Sequence, residues 1–596
     1  MPQHRPFLDV SSSATGQRWV ERMDARQANV ALAMSQHHGI SDITARILAG
    51  RGVGIDEAPA FLNPTIRSLM PDPRSLTDME AAAARLAEAV SRKEPVAIFG
   101  DYDVDGAASS ALMARFFEHF DVPCEIYIPD RIFEGYGPNP AAMQALAERA
   151  KLIVTVDCGT NSALAIAAGK ADGADIVVLD HHQVAGELPA DTPVVNPNRE
   201  DDLSGLGNLC AAGVVFMTLA ETARILRGQG GAFTPPDLMA MIDLVALATV
   251  CDVVPLTGLN RAFVVSGLKV ARQMGNKGLE ALAKIARIGE PLNPFHFGFL
   301  IGPRINAGGR IGDAALGARL LTLHDISEAE RIALELDRLN AERQQMEKRM
   351  LDEAEQEVMS ELADAAGPAV IVTAKDNWHP GIVGLVAARL KERTGRPAFA
   401  IAFNPSGLGT GSGRSIAGFD LGRLVRRAHE AGLIVKGGGH AMAAGITVER
   451  AKLGDLRAFF EHEAAVKVGE LRELVTLEVD GAIGASGATL ALLEEMERAG
   501  PFGSGHPAPV IVLPNHRLNF AKTVGAGGHI KASFSLMDKA ALDAIAFRAE
   551  GTALGNFMFS NIGERIHVAG TLSINHFNGR RTVQMRVIDA ASAIQP

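Results

Sequence analysis

Three times in the first third of the chain a short apolar run stops at an aspartate. Val96–Phe99 and Gly100 lead into Asp101-Tyr102-Asp103-Val104-Asp105-Gly106, Leu152–Val156 into Asp157-Cys158-Gly159-Thr160, and Ile176–Leu179 into Asp180-His181-His182. Glu125–Ile128 is a further short run of the same kind, and alanine-rich stretches with helical spacing, such as Ala107–Phe120, lie between the runs. Runs this short and this continuously apolar read as strands buried on both faces, and their alternation with helices implies an α/β domain with a largely parallel sheet. The carboxyl ends of such strands border the ligand crevice, so the three acid motifs are expected to converge there. Cys251-Asp252-Val253-Val254-Pro255-Leu256, closing the helix-like run 238–250, is a fourth motif that joins them.

Six carboxylates from these motifs (Asp101, Asp103, Asp105, Asp157, Asp180 and Asp252) would repel one another if gathered without counter-charge. Divalent cations resolve that conflict, and carboxylates with imidazole favour Mn²⁺ or Mg²⁺ over a thiolate-loving zinc site. Asp103 and Asp105, alternate residues on a turn, suit two different ions, with Asp157 between them. Two ions about 3.5–4 Å apart clamp the attacking and leaving oxygens of a phosphoryl displacement, so the expected chemistry is phosphoester hydrolysis. A calcium loop fits poorly, because the glutamate that closes an EF-hand loop is absent. The four cysteines form no C-x-x-C pair, which excludes a zinc ribbon and a disulfide framework and points to a reducing compartment.

The rest of the chain divides by pattern. Residues 1–75 read as a helical lead-in and 76–324 as the α/β domain with the acid motifs. Residues 325–364 hold thirteen acids, five bases and neither Gly nor Pro, with Leu, Ile and Met at three- and four-residue steps: a long, largely exposed helix. A second α/β segment, 365–470, contains Ala369–Val372, a helix at Ile382–Lys391 and glycine-rich loops. From 471 to 596 short β-rich stretches separated by Gly, Pro and Asn turns read as a small barrel. No stretch reaches the roughly 18–20 apolar residues of a membrane span, and the first residues lack the apolar core of a secretory signal, so a soluble, cytoplasmic chain is expected.

Asp180-His181-His182, preceded by the D-x-D and single-Asp motifs and followed by Cys251-Asp252, resembles the DHH phosphoesterase superfamily. Within it, FGDYDVDG, PRINAGGR at 303–310, NWHPGIVGLVAARL at 377–390, SGRSI at 412–416 and GGGHAMAAG at 437–445 are similar to the RecJ family of bacterial single-strand-specific DNA exonucleases. The resemblance implies an α/β architecture: a DHH-type parallel-sheet domain and a DHHA1-type α/β domain joined by the long helix, plus a C-terminal OB-like barrel. It implies an enzyme that degrades single-stranded DNA from the 5′ end to mononucleotides with two Mn²⁺ or Mg²⁺ ions, serving recombination and repair. Expected partners are a single-strand-binding protein and a RecQ-type helicase, and the expected state is a monomer. Carried over position by position, Asp103, Asp105, Asp157, His181 and Asp252 are metal ligands. His182 contacts the scissile phosphate or supports the leaving group, Asp180 orients the imidazoles, and Asp101 is the remaining acid of the site.

For substrate binding the resemblance marks Arg304, Asn306 and Arg310 in one glycine-rich run, Ser412 and Arg414 in another, and His440 after Gly437–Gly439. In the tail, Phe520, Phe534, Phe547, Phe577, Lys522, Lys531, Arg580 and Arg581 are candidates for stacking bases and tracking phosphates, Phe577 and Arg580 flanking an Asn-Gly turn. A net charge of −11 speaks at first against a nucleic-acid enzyme. Its distribution removes the objection: 365–596 carries 25 bases against 20 acids, while the acidic excess sits in the proposed site and the long helix. Two other readings compete: a DHH phosphodiesterase acting on short oligoribonucleotides or cyclic dinucleotides, and an inactive DHH-like scaffold.

Overall fold

The structure, a computed structural model, describes residues 6–130, 134–362, 367–473, 475–525, 527–536, 540–577 and 580–593. They form two compact units: Met1–Ser68, Pro255–Thr257 and Leu474–Pro596 in one, Leu69–Val254 and Gly258–Glu473 in the other. The chain's first strand, β1 (Arg18–Glu21), belongs to the smaller unit, and its partner strand comes only in the last quarter.

The larger unit begins with a parallel sheet of β2 (Val96–Gly100), β3 (Cys124–Tyr127), β4 (Leu152–Val156), β5 (Asp175–Leu179) and β6 (Val194–Val195), in the order β3-β2-β4-β5-β6. β2 and β4 are buried along their whole length, as strands covered on both faces must be. From β2 the chain winds outward to β3, then returns to lay β4 on the other side of β2. The winding therefore reverses between β2 and β4, where an open α/β sheet places its crevice. The loops that leave β2 and β4 carry Asp101–Asp105 and Asp157.

The helix Ile242–Cys251 is almost wholly buried and ends with Asp252 as its C-cap. The glycine-rich run PRINAGGR lies in the helix Gly302–Ile311. Packing overrides the low helix propensity of glycine here. A Cβ on Gly302 would stand 2.5 Å from Cys251 Sγ, and one on Gly309 would stand 2.6 Å from the Tyr102 carbonyl oxygen. Only glycine lets this helix lie so close to two acid motifs. The long helix spans Ile326–Leu362 and buries Ile332, Leu336, Leu339 and Met350.

A second sheet of β7 (Ile371–Lys375), β8 (Ala398–Phe403), β9 (Leu408–Arg414), β10 (Lys436–Gly439) and β11 (Ala443–Glu449) has the order β10-β11-β9-β8-β7. The segments read as loops at 412–414 and 437–439 are thus strand residues, the latter on an exposed edge. Missing side chains are the reason: Gly411 and Gly413 sit where a Cβ would collide with Ile401 and Phe399 of β8.

In the smaller unit β12 (Thr476–Val479) pairs in parallel with β1, and β13 (Gly481–Ala482) pairs with β14 (Ile511–Val524). β14 continues through β15 (His529–Ser535), β16 (Ala541–Ala546), β18 (Arg580–Ser592) and β17 (Arg565–Phe577), and its pairing with β17 closes a five-stranded barrel. The N-terminal residues, expected as a separate helical lead-in, build into this unit. Helices Ala25–His38 and Asp42–Gly50 pack with Met496, Ala499 and Ile511. Buried Trp19 donates its indole N–H to Asp589 Oδ2 at 2.9 Å. Asp480, 1% exposed, accepts from Arg51 Nη1 at 2.6 Å, Arg22 Nε at 3.1 Å and the Val510 N–H at 2.8 Å.

Candidate metal centre

Each acid is placed by local backbone chemistry. Asp103 caps the helix Val104–His119, accepting from the N–H groups of Asp105 at 2.8 Å and Gly106 at 3.1 Å. Gly106 is obligatory, because a Cβ would run into the carbonyl of Asp101. Asp105 reaches the N-terminus of a different helix, Ala211–Arg227, and accepts from the N–H groups of Ala211 at 2.6 Å and Ala212 at 2.8 Å. Asp157 is no cap. It sits at φ +61° in the loop after β4, a left-handed conformation seldom adopted by a non-glycine residue. Strain of this kind marks a side chain held for a purpose.

Asp180 is saturated. Its Oδ1 accepts from His182 Nδ1 at 2.8 Å and from the N–H groups of His181 at 2.8 Å and His182 at 3.2 Å, while Oδ2 accepts from the Thr160 N–H at 3.0 Å. Asn198 Nδ2 holds the His181 carbonyl at 2.5 Å and Asn196 Nδ2 the His182 carbonyl at 2.8 Å. His181 donates from Nδ1 to the Leu209 carbonyl at 3.0 Å, which leaves the lone pair on Nε2. That bare nitrogen stands 3.3 Å from Asp157 Oδ1, 3.8 Å from Asp105 Oδ2 and 3.8 Å from Asp252 Oδ2.

The electrostatics are those of a cluster lacking counter-charge. Burial, and then the neighbouring acids, push Asp157 well above the carboxylate range and Asp252 up to about 9. Burial also raises Asp105, although the backbone N–H groups of Ala211 and Ala212 oppose it. Burial works against charge on Asp180 and His182 too, but their mutual hydrogen bond and attraction outweigh it. Asp180 is held well below its ordinary value, and His182 is raised to about 9.

Three sets of ligand atoms lie within 4.8 Å of one another: Asp101, Asp103 and Asp157; Asp105, His181 and Asp252; and Asp157, His181 and His182. Asp157 Oδ1 is buried and makes no hydrogen bond. A buried carboxyl oxygen left without a hydrogen bond beside an imidazole nitrogen is costly in an empty protein and well matched to a divalent cation. The hard oxygen donors with one or two imidazoles fit Mn²⁺ or Mg²⁺. The eight acids and histidines read from the sequence are therefore brought together, with Asp180 as their support.

The substrate-binding residues divide. Arg414 Nη1 donates to Ser412 Oγ at 2.9 Å, and both pack on Gly384 in the first turn of the helix Val383–Thr394. Arg310 Nη1 donates to the Gly381 carbonyl at 3.2 Å, tying its helix to the loop beside Trp378 and His379. Asn306 lies on the helical face of Gly302 and Gly309, toward the acid motifs, and its buried Oδ1 makes no hydrogen bond. Arg304 binds Asp337 of the long helix at 2.8 Å and donates to the Leu300 carbonyl at 2.6 Å, contacts that hold two helices together. His440 is exposed beside the edge strand β10. In the barrel Phe534 is wholly buried and is core, while Phe520 and Phe547 are exposed and Arg586 lies 4.8 Å over the Phe547 ring. Arg580 is exposed, Arg581 pairs with Glu494 at 2.9 Å, and the Phe577 side chain lies outside the described residues.

A tyrosine at the site also escaped the sequence. The Tyr136 hydroxyl donates to the Asp157 carbonyl at 3.0 Å and lies 3.1 and 3.2 Å from the two ring nitrogens of His182. Burial of the hydroxyl, then the charges of Asp157 and Asp180, keep it protonated by raising its pKa far above the tyrosine value. Its signal is the flanking pair Gly135 and Gly137, which leaves a lone tyrosine between two turns.

Family models match three stretches of the chain: DHH family, N-terminal domain, at 95–249; DHHA1 domain at 367–465; and RecJ OB domain at 479–589. The single-stranded-DNA-specific exonuclease RecJ of Bacillus subtilis is 34% identical over 584 residues, which is 97% of this chain and 71% of that protein. The RecJ of Escherichia coli is 34% identical over 563 residues, 91% of this chain and 94% of that protein. Among solved structures, RecJ of Thermus thermophilus in complex with Mn²⁺ superposes with a TM-score of 0.77 at 28% identity, covering 96% of this chain and 78% of that one. An exonuclease RecJ bound to manganese superposes at 0.55 with 34% identity over 67% of this chain and 96% of that one.

Proposed function

Because the chain belongs to the RecJ family of single-stranded-DNA-specific exonucleases, we propose that it hydrolyses single-stranded DNA from the 5′ end, releasing mononucleotides with the aid of two Mn²⁺ or Mg²⁺ ions. The observation that carries the reading is the bare Nε2 of His181 facing Asp105, Asp157 and Asp252. Asp101, Asp103 and Asp157 would hold one ion, Asp105, His181 and Asp252 the other, with Asp157 reaching toward both sets. Bound there, the two ions supply Lewis-acid polarisation of the phosphate and an activated nucleophile at neutral pH.

The chain's own groups do the rest. Asp180 holds His182 protonated with Nδ1 engaged, which leaves Nε2–H to donate to a phosphate or leaving oxygen. Arg414, braced by Ser412, and Arg310 offer guanidinium contacts to the strand's phosphates, with Asn306 and His440 as further donors. Arg580, Lys522 and the exposed Phe520 and Phe547, with half-buried Lys531, give the barrel an aromatic and basic face for bases and backbone. On this reading the protein acts in recombination and repair as a cytoplasmic monomer. Its four free cysteines are consistent with a reducing compartment, and among the described residues no helix is long and apolar enough to cross a membrane. A helicase of the RecQ type and a single-strand-binding protein are the partners such an enzyme requires, since it must be given unwound strand.

Digestion of 5′- and 3′-labelled single-stranded DNA, RNA and duplex, with Mn²⁺, Mg²⁺ or chelator, tests the proposal. Metal-dependent release of the 5′ label from single strands alone is expected. Preference for short RNA, or binding without cleavage, would overturn it.

A further inference from the structure

Tyr136 stands where the site meets solvent, and the loop that carries it is built to put it there. Glu134 anchors the loop, accepting from the Tyr127 hydroxyl at 2.6 Å, the Asp130 N–H at 2.9 Å and Asn139 Nδ2 at 3.3 Å. Gly135 at φ +87° and Gly137 at φ +76° then reverse the chain on either side of the tyrosine. A Cβ on Gly137 would come within 3.6 Å of Ser162 Oγ and 3.9 Å of Cys158 Cβ, so the loop lies directly on the turn that presents Asp157.

The hydroxyl is almost equidistant from both nitrogens of His182 and within hydrogen-bonding distance of each. With Asp180 on Nδ1, the hydroxyl is a second polar contact that braces the ring against rotation. The aromatic ring points the other way in its exposure: Tyr136 is 52% exposed although its hydroxyl is engaged inside. A rigid, half-open ring one residue's width from the group proposed to contact the scissile phosphate is within reach of that nucleotide's base. Only an unpaired base is free to lie on it.

We propose that Tyr136 is a positioning residue for His182 through its hydroxyl and a stacking platform for the nucleobase beside the scissile phosphate through its ring, and so contributes to selection of single strands. This rests on the exonuclease reading above and adds the residue that recognises the base. Aromatic stacking of a base contributes about 1–3 kcal/mol, or roughly 5–150-fold in affinity.

The test separates the two halves of the side chain. Tyr136→Phe keeps the ring and is expected to lower kcat on Mn²⁺-activated single-stranded DNA with little change in KM. Tyr136→Leu is expected to raise KM about ten-fold as well. A 5′-terminal 2-aminopurine strand bound in the presence of chelator gives a readout without turnover: its fluorescence should be quenched by the wild type and by Tyr136→Phe, and not by Tyr136→Leu. A strand whose terminal nucleotide is abasic should be cut equally well by the wild type and by a Tyr136→Leu enzyme corrected for its kcat. If Tyr136→Leu slows normal and abasic strands by the same factor, or quenching survives the loss of the ring, the proposal fails. Inactivity of the wild type on any single strand would instead sink the exonuclease reading.

Discussion

Asp180 Oδ1 accepts from His182 Nδ1 at 2.8 Å while the same oxygen holds the backbone N–H groups of both histidines. The carboxylate thus has no free lone pair aimed at a substrate, and its work is to fix one imidazole and keep it charged. Asp180→Asn is therefore expected to lower kcat roughly 10–100-fold, the usual loss when an orienting partner is removed, with an unchanged circular dichroism spectrum. Wild-type kcat in this variant would show that His182 needs no such support.

Removing Asp157 has two opposed effects. Asp157→Ala is expected to abolish metal-dependent nucleotide release, yet the metal-free variant should melt no lower than the wild type, because a buried carboxyl whose charge the surroundings oppose has been taken away. Mn²⁺ at a hundred times its dissociation constant should stabilise the wild type by about 2.7 kcal/mol and the variant far less. Melting curves with Mn²⁺ or chelator check both. A wild-type shift together with undiminished release would remove Asp157 from the site.

Two arginines read alike from the sequence should behave differently. Arg304 is bound to Asp337 and the Leu300 carbonyl, so Arg304→Ala should cost about 1–3 kcal/mol of stability and leave the KM for DNA unchanged. Arg414→Ala should raise KM several-fold at nearly constant melting temperature, and Arg414→Lys should rescue it poorly, since an ammonium cannot make the forked contact. Urea unfolding set beside steady-state kinetics separates the pair.

The smaller unit carries its own acid sensitivity. His516 is buried, donates from Nδ1 to the Pro514 carbonyl at 2.9 Å and accepts on Nε2 from the Ala485 N–H at 2.9 Å, so the fold requires the neutral ring. Burial lowers the pKa of His516 and of nearby His567 below the ordinary 6.5. A folded-state pKa below the unfolded one gives stability that is present above about pH 6.5 and is lost as pH falls toward the folded value. Melting of this unit should drop from pH 7.5 to pH 5, with a slope of up to about 1.4 kcal/mol per pH unit for each histidine. His516→Gln should flatten that slope; an unaltered slope would place the sensitivity elsewhere.

How much of this was legible depends on how local the information was. Leu152–Val156 and its neighbours declare themselves as strands because full burial demands an unbroken apolar run, and the acids at their ends follow from the winding of the sheet. The glycine-rich run gave no such local sign: Gly309 serves contact with Tyr102, far away in sequence, and the helix that carries it is set by that packing. Arg304 and Phe534 look like any exposed arginine and aromatic until Asp337 and the barrel core are placed beside them. Asn196, Asn198 and Tyr136, which orient the histidines, belong to no spacing pattern at all.

The pairing of β1 with β12 has a consequence for how the protein is made. Trp19 leaves the ribosome about 450 residues before the strand that flanks it, and later still than that comes Asp589, its hydrogen-bond acceptor. At roughly 5–20 residues per second, the first segment waits on the order of 20–90 s with Trp19, Met34 and Ile47 lacking their final cover. The first strand and its helices are thus nascent cargo until the barrel arrives, and premature termination anywhere in the barrel leaves the early and late segments unfolded together.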